Sequence, residues 1–248
     1  MKNLLLLVFV FNAVIVYTGR VAADDTDNRN AGKIFIKGYK KHLNGNLKAA
    51  ERMYTESLIK NSTSEVFFKR GCVRFETNKL TEALSDFENA IALNPSYADA
   101  YNYRGLVHFE RGDTMNAIND HNKAIELNPQ YADAYYQRAY VKTQMGKYEE
   151  AITDYNKAIE IDPEHGYAYL NRSYTYYLDK KYQKAMHDLL VASTIEPENP
   201  YLYKIKAMTE IAMGNYHQAC KSINEAIDLG YTEAFGDDLE KLAKKNCR

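Results

Sequence analysis

Apolar side chains recur every three or four positions along most of this chain, the spacing that places them on one face of an α-helix. These helical stretches come in pairs, and a short polar turn separates the two members of each pair. Four of the six turns contain glycine, which tolerates the left-handed backbone that ends a helix. The turns contain Gly45, Asn78, Gly112, Gly146, Lys180 and Gly214. The pattern predicts a series of helical hairpins and an all-α fold.

The hairpins repeat at an interval of 34 residues. Four of the five prolines follow this interval, at Pro95, Pro129, Pro163 and Pro197. Proline cannot continue the helix before it, and it suits the opening of the next hairpin. A fixed period of this length indicates a repeat array, in which each unit buries its apolar face against its neighbours.

Small residues extend the array to six units. An alanine stands in every second helix, at Ala50, Ala83, Ala117, Ala151, Ala185 and Ala219. A small residue also recurs in every first helix, at Gly38, Gly71, Gly105, Ala139, Ser173 and Ala207. Small side chains at facing positions let two helices approach closely. One turn before the small residue of the first helix, five of the six units have an aromatic residue, which would fill the space between units.

This combination of small, aromatic, alanine and proline positions resembles the tetratricopeptide repeat, a helix-turn-helix unit of 34 residues. The resemblance covers residues 31–233 and implies a right-handed α-solenoid superhelix. Its six units are 31–63, 64–97, 98–131, 132–165, 166–199 and 200–233. A last helix over 234–248, signalled by Phe235, Leu239 and Leu242, is expected to cap the stack.

The resemblance also implies that the first helices line a concave groove, which binds a partner protein or peptide. Tyrosine would suit such a groove because it combines apolar area with a polar tip. Alternatively, several of the residues at groove positions could be half-buried packing residues. By helical spacing from the small residues, the expected groove contains Tyr39, Phe68, Cys72, Asn102, Leu106, Tyr136, Tyr140, Leu170, Tyr174, Tyr177 and Met208.

One known binding mode of the family does not fit this chain. Family members that hold the acidic C-termini of chaperones use lysine, asparagine and arginine on three successive first helices. Asn171 stands in the middle position here, but tyrosines and an isoleucine replace the residues required on either side, at Tyr136, Tyr140, Tyr201 and Ile205. A clamp for chaperone tails is therefore not expected.

Arginine and aspartate recur together in the four central units. Arg70, Arg104, Arg138 and Arg172 are followed sixteen residues later by Asp86, Asp120, Asp154 and Asp188. The arginines could form a basic stripe for an anionic ligand, or each could pair with the acid of its own hairpin. Pairing is favoured because every arginine has its own acid in the same unit.

The N-terminus indicates export. Lys2 is followed by the apolar stretch 4–17 and then by Val21-Ala22-Ala23, which predicts a signal peptide over 1–23 that is cleaved after Ala23. The alternative is an uncleaved signal anchor that tethers the protein to a membrane. The stretch is 14 residues long and contains Asn12, which makes it too short to span a bilayer and favours the cleaved signal peptide. After cleavage, no stable membrane insertion is expected. Residues 24–30 are polar and are expected to form a disordered linker.

The charge of the chain bears on the class of partner, and its cysteines bear on a possible disulfide. Loss of the signal peptide would change the net charge from −1 to −3, because it contains Lys2 and Arg20 but no acid, and nothing indicates nucleic acid as a partner. In an exported chain, Cys220 and Cys247 could form a disulfide or remain two thiols, and Cys72 would be the odd cysteine. Asn61 begins a glycosylation sequon in a loop.

No motif for catalysis, cofactor binding or metal binding is found. The six histidines fall in different units without metal-ligand spacing, and His121 stands where Phe87 and Tyr155 stand in other units, an interior packing position. We therefore expect a non-enzymatic scaffold or adaptor without cofactor, which binds a protein or peptide in the groove and could also self-associate. A chaperone-like or assembly factor for exported clients is the alternative.

Overall fold

The computed structural model describes residues 26–231 and 238–247, and the regular structure of these residues is entirely helical. The predicted signal peptide lies outside the described residues. The chain divides after Asp113 into two compact units. The first unit contains α1 (26–43), α2 (Leu47–Lys60), α3 (Ser64–Glu76), α4 (Leu80–Leu93) and α5 (Ala98–Glu110).

The second unit begins at Thr114. It contains α6 (Thr114–Leu127), α7 (Ala132–Gln144), α8 (Tyr148–Ile161), α9 (Gly166–Leu178), α10 (Tyr182–Ile195), α11 (Pro200–Ala212), α12 (Tyr216–Asp228) and α13 (Asp238–Asn246). Within it α7 packs on α8, α9 on α10 and α11 on α12, while α9 also contacts α7 and α11. Hairpins whose first helices touch in succession form an α-solenoid, so the predicted fold class is confirmed.

A residue with positive φ ends the first helix of each hairpin. In four hairpins this residue is glycine, as at Gly146 with φ of 75°, and in two it is Asn78 or Lys180 with φ of 58° and 59°. A side chain makes this backbone region costly, which explains the preference for glycine. The predicted turns are therefore confirmed, and Lys180 is the unusual member.

The small positions bring the helices of a hairpin close together. The alanines of the second helices, such as Ala83 and Ala151, are fully buried. At Gly71 a Cβ atom would lie only 2.7 Å from the ring of Phe87, which is itself fully buried. The missing side chain at Gly71 therefore makes room for an aromatic ring from the facing helix.

Both ends of the described chain refine the sequence predictions. Residues 26–30 are already helical, so the prediction of a disordered linker is wrong for them, because they form the first part of α1. At the other end, α13 lies within the predicted capping segment and packs on α12, with Leu239 buried beside Ile223 and Tyr231. Phe235, which was expected to contribute, lies outside the described residues.

The two cysteines near the C-terminus are bonded. Cys220 on α12 and Cys247 after α13 form a disulfide, with 5.6 Å between their Cα atoms. Of the two alternatives from sequence, the structure therefore has the bridge. Cys72 is a free, buried thiol, and burial raises its pKa to about 12.

Candidate peptide-binding groove

The recurrent arginines are structural. Arg70, Arg138 and Arg172 each reach the aspartate sixteen residues later with two nitrogen atoms, at distances of 2.5 to 3.0 Å. These aspartates, Asp86, Asp154 and Asp188, are buried. A buried carboxylate with a bidentate arginine is well compensated, and it leaves the guanidinium little capacity for an external anion. In these three hairpins the pairs join the two helices rather than form a ligand-binding stripe.

The predicted groove residues separate into two sets by their place in the first helix. One set stands two residues before the arginine position and the other two residues after it. The set after the arginine is at least partly exposed in five hairpins: Tyr39, Leu106, Tyr140, Tyr174 and Met208. These five side chains stay candidates for partner contact, together with Tyr177 one turn further along α9.

The set before the arginine is mostly core. Phe68, Asn102 and Leu170 are only 2 to 5% exposed, so the prediction that they line a groove is wrong for these three residues. The loop that enters the next hairpin covers this position, as Tyr97 does for Phe68 with 4.9 Å between ring centroids. Leu170 instead packs with Leu189 and Leu202. Cys72, from the other set, is also buried.

Tyr136 stands two residues before the arginine, as Phe68 and Leu170 do, but part of its surface is exposed. Its ring lies 4.9 Å from that of His165 and 6.0 Å from that of Tyr155. Its hydroxyl oxygen accepts a hydrogen bond of 3.0 Å from Nδ2 of Asn171. Burial raises the pKa of Tyr136, so the hydroxyl keeps its proton. The hydroxyl of Tyr136 can therefore donate to a peptide carbonyl while it accepts from Asn171.

Asn171 is held between two first helices. Its Nδ2 also donates to the backbone oxygen of Tyr167 at 3.0 Å. Both amide protons are thus used, while its Oδ1 has no hydrogen-bond partner among the described residues. An asparagine fixed in this way presents an acceptor to a peptide N–H without first having to be ordered.

Three tyrosines of α9 and α10 form a second aromatic group. The rings of Tyr174 and Tyr177 on α9 stack with 6.2 Å between centroids and 15° between planes. Tyr182, at the start of α10, lies 6.0 Å from Tyr177. All three rings are partly exposed. Rigid, partly exposed tyrosines offer large contact area at a low entropy cost.

The structure adds residues that the sequence prediction missed. Tyr167, Asn171 and Tyr201 line one recess of about 540 Å³ on the second unit, beside the buried Leu170. A departure from the repeat could have drawn attention to Tyr167, because Asp99 and Asp133 stand at the same position of the two preceding units. From the sequence, Asn171 and Tyr201 stand out only as positions of the chaperone-tail clamp that this chain lacks.

The described part of the chain contains neither a candidate metal site nor a candidate membrane-spanning helix. Within residues 26–231 and 238–247 no cluster of three or more histidine, cysteine, aspartate or glutamate side chains could hold a metal ion. No described helix is long and apolar enough to span a membrane.

Comparison with known families identifies the repeat. Models of the tetratricopeptide repeat match residues 71–112, 105–146, 132–165 and 154–187. Residues 71–187 therefore consist of tetratricopeptide repeats. Comparison with curated protein sequences gives no significant match.

Solved structures of this class resemble the chain over most of its length. MamA is 27% identical, with a TM-score of 0.58 over 68% of this chain and 92% of MamA. A tetratricopeptide repeat protein from Parabacteroides merdae is 22% identical, with a TM-score of 0.69 over 94% of this chain and 95% of its own. YrrB, described as having an unusual peptide-binding site, is 23% identical, with a TM-score of 0.56 over 70% of this chain and 90% of YrrB.

Proposed function

We propose that this protein is a non-enzymatic scaffold that binds a protein or an extended peptide segment through the tyrosine-bearing first helices of its second unit. The observation that carries the proposal is the pair of partly exposed tyrosines Tyr140 and Tyr174, which stand at one repeat position on α7 and α9. Beside them, Tyr136 and Asn171 present a hydroxyl donor and an amide acceptor. This combination suits an extended backbone, whose N–H and C=O groups need partners.

The comparisons support the same class of function. Tetratricopeptide repeats present their residues on rigid stacked helices, and one structure with this fold, YrrB, is described as having a peptide-binding site. Solenoids of this kind offer extended surfaces for binding. In this chain the repeated ion pairs are engaged within hairpins, which leaves the positions that differ between repeats to determine the partner.

The experiment is a measurement of affinity for selected peptides. Peptides are selected from a random library on the wild-type protein, and their Kd values are measured by calorimetry. We expect the double variant Tyr140→Ala/Tyr174→Ala to weaken binding about tenfold or more, because buried tyrosines dominate such interfaces. The control variant Tyr148→Ala/Tyr216→Ala changes two tyrosines that begin second helices, and its Kd should stay within about twofold of the wild type.

The outcome also separates the two candidate roles. One family of related peptide sequences supports a scaffold with a defined partner. Selection of peptides with no common sequence favours instead a chaperone-like factor for exported clients. Equal affinities of the wild type and of Tyr140→Ala/Tyr174→Ala would contradict the assignment of the groove.

We further propose that the protein is exported. The disulfide between Cys220 and Cys247 supports this proposal, because such bonds persist in oxidising compartments. N-terminal sequencing of the protein from its native cells should begin at Asp24. A chain that still begins at Met1 would indicate the uncleaved anchor instead.

A further inference from the structure

The recess on the second unit is lined by aromatic and acidic residues. It lies between α9 and the loop that leads into α11, and its lining consists of Tyr167, Leu170, Asn171, Glu196, Glu198, Asn199, Pro200 and Tyr201. Leu170 is buried, whereas one half of the surface of Tyr167 is exposed. None of these lining residues is a lysine or an arginine.

Glu196 occupies a position that has a different role in the other hairpins. There, Asn94, Asn128 and Asp162 accept a hydrogen bond from the backbone N–H two residues later, at 3.1 Å. The side chain of glutamate is one methylene longer, and no such bond joins Glu196 to residue 198 among the described contacts. The carboxylate of Glu196 therefore does not cap its own turn.

A glycine on α9 makes room for this longer side chain. A Cβ atom at Gly166 would lie 2.6 Å from Cγ of Glu196. The corresponding residues of the two preceding units are Ala98 and Ala132. Glycine thus replaces alanine in the same unit in which glutamate replaces a short acceptor. Together the two changes direct the carboxylate of Glu196 to the rim of the recess.

The two carboxylates of the recess have no ion-pair partner within the described chain, although a lysine lies near its aromatic wall. Neither Glu196 nor Glu198 forms a salt bridge with a described lysine, arginine or histidine. The ammonium group of Lys204 on α11 lies 5.8 Å from the centroid of the Tyr201 ring. It donates to the hydroxyl of Tyr231 at 2.5 Å and forms no ion pair with either glutamate. Two carboxylates without a counter-ion attract a cation, and they do so more strongly where protein walls reduce the access of water.

We propose that this recess binds the cationic side chain of an arginine or lysine in the partner peptide, an inference that rests on the proposed peptide-binding function. A cation in the recess can pair with Glu196 and Glu198, lie against the face of Tyr167 and donate to Oδ1 of Asn171. Tyr167 stands where the three preceding units carry an acid, at Glu65, Asp99 and Asp133. The next unit has Tyr201 at the same position, so two aromatic rings line this one recess. The partner is therefore a peptide with a basic residue at one fixed position.

The test uses the selected peptides and a double-mutant cycle. We expect the peptides to share an arginine or lysine at one position. Exchange of that residue for glutamine, or the variant Glu196→Gln/Glu198→Gln, should each weaken binding about tenfold, and the two changes together should cost little more than either one. The affinity of the wild type should also fall as the salt concentration is raised. The variant Glu196→Gln/Glu198→Gln should lose most of this salt dependence.

A charge-matched control distinguishes a local effect from the overall charge. Glu225→Gln/Asp228→Asn removes two exposed carboxylates of α12, and its Kd and salt dependence should equal those of the wild type. Peptides without a common basic residue, or with equal affinity for Glu196→Gln/Glu198→Gln, would overturn this inference. If such peptides still require Tyr140 and Tyr174, the proposed function stands, whereas failure to select any peptide overturns both.

Discussion

At the scale of single residues, one buried position holds a different side chain in successive hairpins: Phe87, His121 and Tyr155. All three are fully buried, so the interior position expected for His121 is confirmed. Burial, together with the nearby charge of Arg138, lowers the pKa of His121 to about 3. The folded protein thus holds a neutral imidazole at a position where other hairpins hold a ring that does not titrate near neutral pH.

Replacement of His121 by phenylalanine should reduce the acid sensitivity of the fold. The unfolded histidine has a pKa of about 6.5, so the unfolded state binds the proton first as pH falls, and stability is lost from about pH 6.5 downward. At pH 5 this loss is about 2 kcal/mol for the wild type. We expect His121→Phe to lack it when urea unfolding is compared at pH 7 and pH 5. Equal losses in both proteins would contradict the neutral, buried state of His121.

A reciprocal exchange tests the turn residues. Lys180 and Gly146 stand at the same position of successive hairpins, with φ of 59° and 75°. A lysine in this region is strained by about 1 kcal/mol, part of which the flexibility of glycine in the unfolded chain offsets. We expect Lys180→Gly to raise the free energy of unfolding by about 0.5 kcal/mol and Gly146→Lys to lower it by a similar amount. Changes of the same sign in both variants would contradict this account.

At the scale of elements, most of the fold could be predicted from the sequence, because helical periodicity and turn residues act locally. The groove could be predicted only in part. Phe68 and Cys72 are four residues apart on α3, as Leu170 and Tyr174 are on α9, so each pair lies on one stripe of its helix. The loop that follows determines which turn of this stripe the next hairpin covers. Tyr97, for example, packs on Phe68 and covers it. Sequence spacing alone does not contain that contact.

The last hairpin has a covalent reinforcement that the other hairpins lack among the described residues. The disulfide closes a segment of 27 residues and ties α13 to α12. Loss of a bridge over a loop of this length costs about 3.5 kcal/mol in the chain-entropy model. Reduction, or the variant Cys220→Ser/Cys247→Ser, should therefore destabilise the C-terminal hairpin. In hydrogen-exchange measurements, the backbone amides of α12 and α13 should then exchange faster.

Cys72 provides the matched control for this experiment. It is a free thiol, so a reductant has no bond to cleave there, and its burial and raised pKa of about 12 should protect it from mild alkylation. The variant Cys72→Ser should retain the full response to reduction. An unchanged exchange rate of α12 and α13 after reduction would show that packing of Leu239, rather than the bridge, holds the cap.

At the scale of the whole molecule, the repeated and the unrepeated residues have separate roles. The alanines and the turn residues recur in every hairpin, and the arginine–aspartate pairs in the central ones, because they shape a hairpin and join its two helices. Tyr140, Tyr174, Tyr167 and Glu196 differ between units and lie at the surface or at the recess. Other hairpins fold with different residues at these positions, so these four residues are not required for folding. Selection for binding a partner would therefore act on them.

Site-specific photo-crosslinking tests this separation most directly. Benzoylphenylalanine, which keeps an aromatic ring, is introduced in place of Tyr140 or Tyr174, or in place of Tyr148 or Tyr216 on the second helices. With a selected peptide, we expect adducts from the first two positions only, and unlabelled peptide should compete with them. Adducts from Tyr148 or Tyr216, with none from Tyr140 and Tyr174, would contradict the claim that the first helices form the binding surface.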